Sequence, residues 1–324
     1  MNSSRHENAH AVLFPAFAST SLSDSVKRFL GNGGCSILLG ETREEYLARK
    51  MSPERIMTET PETLLSVTEE AKRSANKILV AIDQEIGGIC RLHDLVPAFP
   101  PADEISNMDH HECERLSRDI AVGAHKMGIN CFLAPILDIV TGDNPWLAGR
   151  TWSKDPGQIA ALSAIYIKTL QANGIAAAAK HFPGYSAIAK DPAVAEEAIN
   201  VEPSESFEQS FIPFIDAIKT GVEIVMTGPA VVSALDPDNA ASVSAPVISI
   251  LRNQLHFSGL VMSDDLDAKG ILRGRPITEI AVDALQAGCD LLLIADIDDQ
   301  IDRLAAALVV AVENGELAEN RLDI

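Results

Sequence analysis

Eight short apolar segments of strand length recur along the 324-residue chain, and their number and spacing constrain the fold more than any other feature. They lie at 11–17, 35–39, 78–82, 131–137, 175–179, 222–227, 259–263 and 290–295. Segments such as ILVAI and LLLIA are apolar throughout, which is typical of parallel strands covered on both faces. Longer segments with the apolar spacing of amphipathic helices separate them. This alternation predicts an α/β fold, a TIM-type (β/α)8 barrel.

A doubly wound open sheet would show the same alternation of strands and helices. Such a sheet is expected to carry a glycine-rich turn after an early strand, and no GxGxxG sequence occurs there. The chain length suits one barrel, which typically needs roughly 250 residues plus insertions. We therefore predict a single domain over residues 1–324, in which 84–130 is the longest connection.

Composition limits the classes of partner. The chain has 46 acidic and 26 basic residues, a formal net charge of −20, and no clustered basic patch, which argues against nucleic acid and anionic membranes. No apolar run approaches the roughly 20 residues of a membrane span. The polar start MNSSRHENAH lacks the pattern of a secretory signal, so we expect a cytoplasmic protein. The sequence does not indicate an oligomeric state.

The five cysteines are widely spaced and include no CxxC pair, and the chain has no HExxH sequence. This pattern indicates neither a disulfide framework nor a zinc site. We expect buried thiols and predict that no metal or organic cofactor is needed.

Polar residues follow most of the later strand segments, where a barrel builds its active site. Carboxylates accept hydrogen bonds from sugar hydroxyls and Lys or Arg donate to them, so these residues predict a pocket for a carbohydrate. They are Asp83, Gln84 and Glu85 after the third segment, Asp138 and Arg150 after the fourth, Lys180 and His181 after the fifth, Ser263, Asp264 and Asp265 after the seventh, and Asp296 after the eighth.

Four segments resemble the catalytic barrel of glycoside hydrolase family 3, most closely its single-domain β-N-acetylhexosaminidase branch. They are ILVAIDQEIGGICRL, APILDI with DNPWLAGRTWSKDP, GIAAAAKHFPGY, and GLVMSDDLDAKGI. KHFPG and VMSDDL are highly specific and occur in the family's order and spacing. The resemblance extends over about residues 11 to 320.

The resemblance implies that Asp264 is the nucleophile of a retaining reaction that passes through a covalent glycosyl-enzyme. It implies that Lys180 and His181 bind sugar hydroxyls. The substrate-binding prediction is completed by four further residues, Asp83, Arg91, Asp138 and Arg150. A packed core histidine is the alternative for His181, and a simple salt bridge is the alternative for Arg91.

The loop after KHFPG departs from the pattern of this branch. The branch carries Asp-Ser-His there, whereas this chain has Asp191 followed by Pro192 and Ala193. Tyr185 and the segment 227–229 also lack histidines that the resemblance leads one to expect, and Gly88 stands where the family often has an arginine. Protonation of the leaving group is therefore left without its usual residue.

Three carboxyl groups on the same loop are candidate replacements, because a carboxylic acid with a raised pKa can protonate a glycosidic oxygen. They are Glu196, Glu197 and Asp191, and the alternative for the two glutamates is a solvated helix face. We predict an exo-acting retaining β-glycosidase, with N-acetyl-β-glucosaminides as the leading substrates. A glycoside phosphorylase, or a sugar-binding protein that has lost its acid/base histidine, remains open.

Overall fold

The computed structural model describes residues 2–75, 77–295 and 300–323. Eight parallel strands form one sheet, with the spatial order β7-β6-β5-β4-β3-β2-β1-β8. An isolated parallel bridge between Met262 and Leu291 joins the two ends of this sheet. The prediction of a TIM-type barrel is therefore confirmed. The strands are β1 (Leu13–Phe17), β2 (Ser36–Leu39), β3 (Leu79–Ile82), β4 (Cys131–Phe132), β5 (Ala176–Phe182), β6 (Ile224–Thr227), β7 (Leu260–Met262) and β8 (Leu292–Ile294).

Two strand boundaries differ from the predicted ones in a way that matters for the site. β4 ends at Phe132, because Pro135 has no N–H group to donate to a regular ladder. β5 continues to Phe182, so Lys180 and His181 belong to the strand itself rather than to the loop after it. The backbone N–H of Lys180 still donates to the carbonyl of Pro135 at 3.0 Å, which keeps the two segments side by side.

Helices pack around the outside of the barrel. One of the amphipathic segments between strands is α9 (Phe207–Thr220), where Phe207 and Phe214 are buried. The helices are α1 (Asn2–Ala11), α2 (Asp24–Gly31), α3 (Arg43–Ala48), α4 (Pro53–Thr58), α5 (Pro61–Ser74), α6 (Ala102–Ile105), α7 (His110–Lys126), α8 (Pro156–Ala172), α9 (Phe207–Thr220), α10 (Ala245–Ser249), α11 (Lys269–Leu272), α12 (Ile277–Ala287) and α13 (Gln300–Glu313).

Apolar side chains form two layers. One buried cluster comes from alternating positions of all the strands and includes Phe14, Leu38, Cys131, Met226 and Leu293, which fill the barrel interior. A larger cluster lies between the strands and the surrounding helices. The interior cluster forms the floor on which any ligand at the end of the barrel would rest.

A small sheet of three short strands lies among the loops at the carboxyl ends of the barrel strands, formed by Ile199–Asn200, Val231–Val232 and Asp236–Ala240. None of the helices in the described ranges is both long and apolar enough to cross a membrane. Asp296, which the sequence placed after the eighth strand, lies outside the described residues.

Candidate active site

A cavity of about 580 Å³ opens at the carboxyl ends of the barrel strands. Its floor includes the interior residues Leu38, Leu133, Met226 and Leu293. Within the described part of the chain, its wall includes five carboxyl side chains and three cationic ones. These are Glu41, Asp83, Asp264, Asp265 and Asp267, with Arg43, Arg150 and Lys180. The cavity is therefore polar and predominantly acidic.

Asp264 follows β7 and is held through its backbone. Its N–H donates to Oγ of Ser242 at 3.0 Å, and its Oδ1 accepts from the N–H of Asp265 at 2.8 Å. Oδ2 lies 4.0 Å from Nε2 of His181 on the cavity side. Burial raises the pKa of Asp264 to about 6, against the opposing N–H of Asp265 and the charge of Lys180. Its carboxylate is thus poorly solvated, positioned and ionised at neutral pH, which suits a nucleophile.

Lys180 on β5 is the centre of a charged network. Its Nζ lies 2.6 Å from Oδ1 of Asp83 and 2.8 Å from Oε1 of Glu85. Arg150 donates to the same Glu85 carboxylate from Nη2 at 2.6 Å and from Nε at 3.2 Å. Burial alone would raise the pKa of Glu85, but the charges of Arg150 and Lys180 outweigh it and lower the pKa to about 2. Glu85 therefore anchors both cations at the cavity wall.

His181 is oriented by a buried carboxylate and an aromatic ring. Oδ2 of Asp138 accepts from its backbone N–H at 3.0 Å and lies 2.7 Å from its Nδ1. The ring of Trp146 packs against the imidazole with centroids 4.5 Å apart. Burial and the charges of Arg150 and Lys180 hold the pKa of His181 well below its ordinary value. The neutral imidazole donates a hydrogen bond from Nδ1 to Asp138. Its Nε2 can accept a hydrogen bond from a sugar hydroxyl beside Asp264.

The structure places two of the predicted substrate-binding residues away from the cavity wall. Arg91 does not line the cavity, because its guanidinium is buried and donates to both oxygens of Glu59, at 2.6 and 2.7 Å, and to the carbonyl of Gly40. Asp138 is also buried beneath the wall, where it accepts bonds from His181 and from the N–H of Tyr185. Arg91 supports the framework and Asp138 positions His181.

The structure also places the three candidate proton donors away from the cavity wall. Glu196 and Glu197 are exposed, and Glu197 pairs with Lys190 on the surface, with 72% of its side chain accessible. Asp191 turns back on its own loop, where its Oδ1 accepts from the N–H of Ala193 at 2.9 Å. Ala193 itself lines the cavity, so a methyl group occupies the position at which the resemblance leads one to expect a histidine.

Several cavity residues escaped the sequence analysis. Trp146 and Tyr46 line the wall, and Asp267 and Glu41 add carboxyl groups to it. Glu41 follows the second strand segment directly after Gly40, so the rule that singled out Asp83 also applies to it. Trp146 lies within the family-like segment DNPWLAGRTWSKDP, but nothing in its spacing shows that it faces the pocket.

Comparison with protein families decides the assignment. Residues 45–324 match the model of the glycosyl hydrolase family 3 N terminal domain. The chain belongs to glycosyl hydrolase family 3, and it is a glycoside hydrolase. Among curated relatives, a β-hexosaminidase of Nitrosomonas eutropha is 32% identical over 239 residues, which are 71% of this chain and 68% of that protein.

Solved structures of family 3 enzymes have the same fold. A family 3 β-N-acetylglucosaminidase from a Paenibacillus species superposes with a TM-score of 0.86 at 26% identity, covering 98% of this chain. This chain spans 60% of the length of that protein. A β-N-acetylhexosaminidase from Beutenbergia cavernae superposes with a TM-score of 0.84 at 21% identity, covering 96% of this glycoside hydrolase and 93% of the other chain.

Proposed function

We propose that this glycoside hydrolase is an exo-acting, retaining enzyme that removes terminal β-linked N-acetylhexosamine. The observation that carries the proposal is Asp264, a largely buried carboxylate whose Oδ2 lies beside the neutral ring of His181 in the cavity. Relatives named β-hexosaminidase and β-N-acetylglucosaminidase support the choice of sugar.

The contacts of Asp264 support a double-displacement reaction. In the first step Asp264 attacks the anomeric carbon, the bond from that carbon to the leaving oxygen breaks, and the sugar becomes esterified to Asp264. The leaving oxygen departs with the bonding electrons and takes a proton from solvent water. In the second step water attacks the same carbon, the ester bond to Asp264 breaks, and the proton of the attacking water returns to solvent. Lys180, Asp83 and His181 would hold the ring hydroxyls throughout, because their donors and acceptors are fixed by Glu85 and Asp138.

The shape of the cavity supports exo action. Residues from around the whole barrel line its wall, and apolar residues of the barrel interior close its floor. A sugar can enter such a pocket from the open end only, so the bond that is cleaved would be the one to the terminal residue.

The charges in the cavity argue against a phosphorylase. The wall carries more carboxyl groups than cations, and Lys180 and Arg150 are already paired with Asp83 and Glu85. A phosphate acceptor would therefore find these two buried cations already engaged by carboxylates. Water, which is neutral, is the better acceptor here.

A nitrophenyl N-acetyl-β-glucosaminide assayed with and without phosphate tests the proposal. We expect hydrolysis at the same rate under both conditions, little turnover of the corresponding β-glucoside, and loss of turnover in Asp264→Asn. Asp103→Asn, at an exposed position of α6, is the matched control and should behave as the wild type. Formation of a sugar phosphate, or turnover that survives Asp264→Asn, would overturn the proposal.

A further inference from the structure

One carboxyl group of the cavity wall has no role in the reaction described above. Glu41 lies between β2 and the capping residue Thr42 of α3, and it lines the same cavity as Asp83 and Lys180. Its Oε2 is buried and has no hydrogen-bond partner within the described part of the chain. Buried polar atoms are almost always hydrogen-bonded, so an unpartnered oxygen in the wall of a ligand pocket indicates a group that the ligand satisfies.

The surroundings of Glu41 determine which chemical form it takes. Burial is the largest influence and raises the pKa of Glu41 to about 8, and the charges of Asp83 and Glu85 act in the same direction. Lys180 and Arg91 oppose this shift, but Lys180 is paired with Asp83 and Glu85, and Arg91 is paired with Glu59. At neutral pH the side chain is therefore a neutral carboxylic acid, with one O–H donor and acceptor capacity besides.

The position of Glu41 around the barrel indicates which part of a sugar it reaches. Glu41 follows β2, next to the β3 end that carries Asp83, whereas Asp264 follows β7. In the strand order, β2 and β7 are separated by β1 and β8, so the two carboxyl groups belong to different sides of the cavity. A ring whose anomeric carbon lies at Asp264 would direct its opposite end toward the side of Asp83 and Glu41.

We propose that Glu41 is a specificity-determining residue that hydrogen-bonds a free hydroxyl group at the end of the terminal sugar remote from the anomeric carbon. This inference rests on the proposed function and deepens it by stating the substrate class. The preferred terminal sugar is neutral and unsubstituted at that hydroxyl. A phosphate or carboxylate at the same place would lie against the Asp83 carboxylate and would be disfavoured by its charge.

Two variants and two substrate analogues test the inference. The substrates are the nitrophenyl N-acetyl-β-glucosaminide and its analogues that lack the hydroxyl on carbon four or on carbon six. Glu41→Ala should raise KM for the parent substrate about tenfold or more, with kcat changed less, because the lost hydrogen bond holds the ground state as well as the transition state. Glu41→Gln can still donate and accept, and it should keep KM near the wild-type value.

If Glu41 contacts a substrate hydroxyl directly, the effect of Glu41→Ala should depend on whether that hydroxyl is present. A purely structural effect would not depend on it. The wild type should discriminate against one of the two analogues, and Glu41→Ala should lose that discrimination. Glu104→Ala, at an exposed glutamate of α6, is the matched control and should retain it. Equal losses for the parent and both analogues in Glu41→Ala, or no loss at all, would overturn the inference.

The pH profile supplies a readout that packing alone would not change. Glu41 is protonated below about pH 8, so kcat/KM of the wild type should fall as the pH rises through that value. Asp83, Glu85, Lys180, Arg91 and Asp265 are the titratable or charged groups that face it, and all of them remain in Glu41→Gln. The falling limb near pH 8 should therefore disappear in Glu41→Gln, and its persistence there would contradict the assignment.

Binding measurements keep the two proposals distinguishable. If the wild type turned over none of these substrates, the proposed function would fail, and titration calorimetry with N-acetylglucosamine and its two deoxy analogues would test Glu41 alone. The same loss of discrimination in Glu41→Ala should then appear in Kd. Absence of binding by the wild type would overturn both proposals.

Discussion

The ring of Tyr185 occupies the space that a side chain at position 228 would need: a Cβ added to Gly228 would lie 2.1 Å from Cε2 of that ring. The Tyr185 hydroxyl donates to the carbonyl of Ala230 at 3.0 Å, and its ring packs edge-on against Trp146. The departure from the family's pattern at Tyr185 and the one within the segment 227–229 therefore belong to one packing arrangement. The tyrosine fills the space beside the end of β6 and leaves none for a side chain at 228.

This packing predicts that Gly228→Ala destabilises the protein. The added methyl group would force the buried ring of Tyr185 to move, and overpacking of this kind costs about 1–3 kcal/mol. Urea unfolding measures the change, with Gly31→Ala as the matched control because a Cβ there has open space. A loss as small as that of the control would show that Tyr185 does not occupy the space at 228.

The pair formed by Arg91 and Glu59 should matter for stability more than for substrate binding. Arg91→Met leaves the Glu59 carboxylate buried beside Arg55 and His93, and breaking such a pair costs about 3–5 kcal/mol. Adding Glu59→Leu should recover part of the loss, since an apolar pair needs no counter-charge. The exposed Arg115 offers a control, where Arg115→Met should cost less than about 1 kcal/mol. Unchanged stability with a raised KM in Arg91→Met would instead mean that Arg91 contacts the substrate.

The rate of cleavage should depend steeply on the leaving group, as expected of an enzyme that has no carboxylic proton donor on the loop after β5. General acid assistance contributes about 10²- to 10⁴-fold for poor leaving groups, whereas a nitrophenolate departs without a proton. We therefore expect fast cleavage of activated aryl glycosides and slow cleavage of alkyl glycosides. A plot of log rate against the pKa of the leaving group should have the same slope in the wild type, Asp191→Asn, Glu196→Gln and Glu197→Gln. A slope that steepens in one of these variants would identify that carboxyl group as the donor.

Introducing a histidine at position 193 should make the cleavage rate depend less on the leaving group. Ala193 lines the cavity, and Oδ1 of Asp191 accepts from its backbone N–H. A histidine at this position would therefore stand at the cavity wall next to a carboxylate. The double variant Pro192→Ser/Ala193→His should cleave poor leaving groups faster than the wild type and activated ones at a similar rate. Ala193→Leu, which adds bulk without a titratable group, is the control. Equal behaviour of the two variants would show that position 193 cannot deliver a proton.

The largely buried carboxylate of Asp264 should lower the free energy of unfolding at neutral pH. Its pKa of about 6 lies above the ordinary 3.8, so ionisation above pH 6 is less favourable in the folded than in the unfolded protein. Asp264→Asn should therefore raise the unfolding free energy at pH 7 by about 1–3 kcal/mol, with the difference shrinking between pH 6 and pH 4. A variant less stable than the wild type at pH 7 would contradict this. The same ionisation should make kcat/KM of the wild type rise through about pH 6.

The barrel and much of the site could be predicted because apolar strand segments end in polar residues. Asp83, Lys180, His181 and Asp264 all lie where that rule and the family-like motifs placed them, around one cavity. Glu41 was missed because a glutamate before a helix-capping sequence resembles any solvated helix start. The positions of the three loop carboxyl groups away from the cavity wall could not be predicted, because nothing in a sequence shows which way a loop folds back.

The burial of Arg91 could not be predicted either, because its partner Glu59 lies between two helices, far away in the sequence. Spacing alone gives no measure of whether an arginine faces a pocket or a carboxylate beneath it. A single domain over residues 1–324, a cytoplasmic location, independence from metals and cofactors, and the lack of nucleic-acid and membrane partners stay predictions.

Covalent labelling of Asp264 tests the central claim most directly. A slow fluorinated N-acetylglucosaminide should leave its sugar esterified to the enzyme, and peptide mass spectrometry should then locate the sugar on the peptide that contains Asp264. Fragmentation should separate Asp264 from its neighbour Asp265, and Asp264→Asn should remain unlabelled. Labelling of Asp265 or of any other carboxylate, or turnover of the reagent by the wild type with no covalent adduct, would contradict the account.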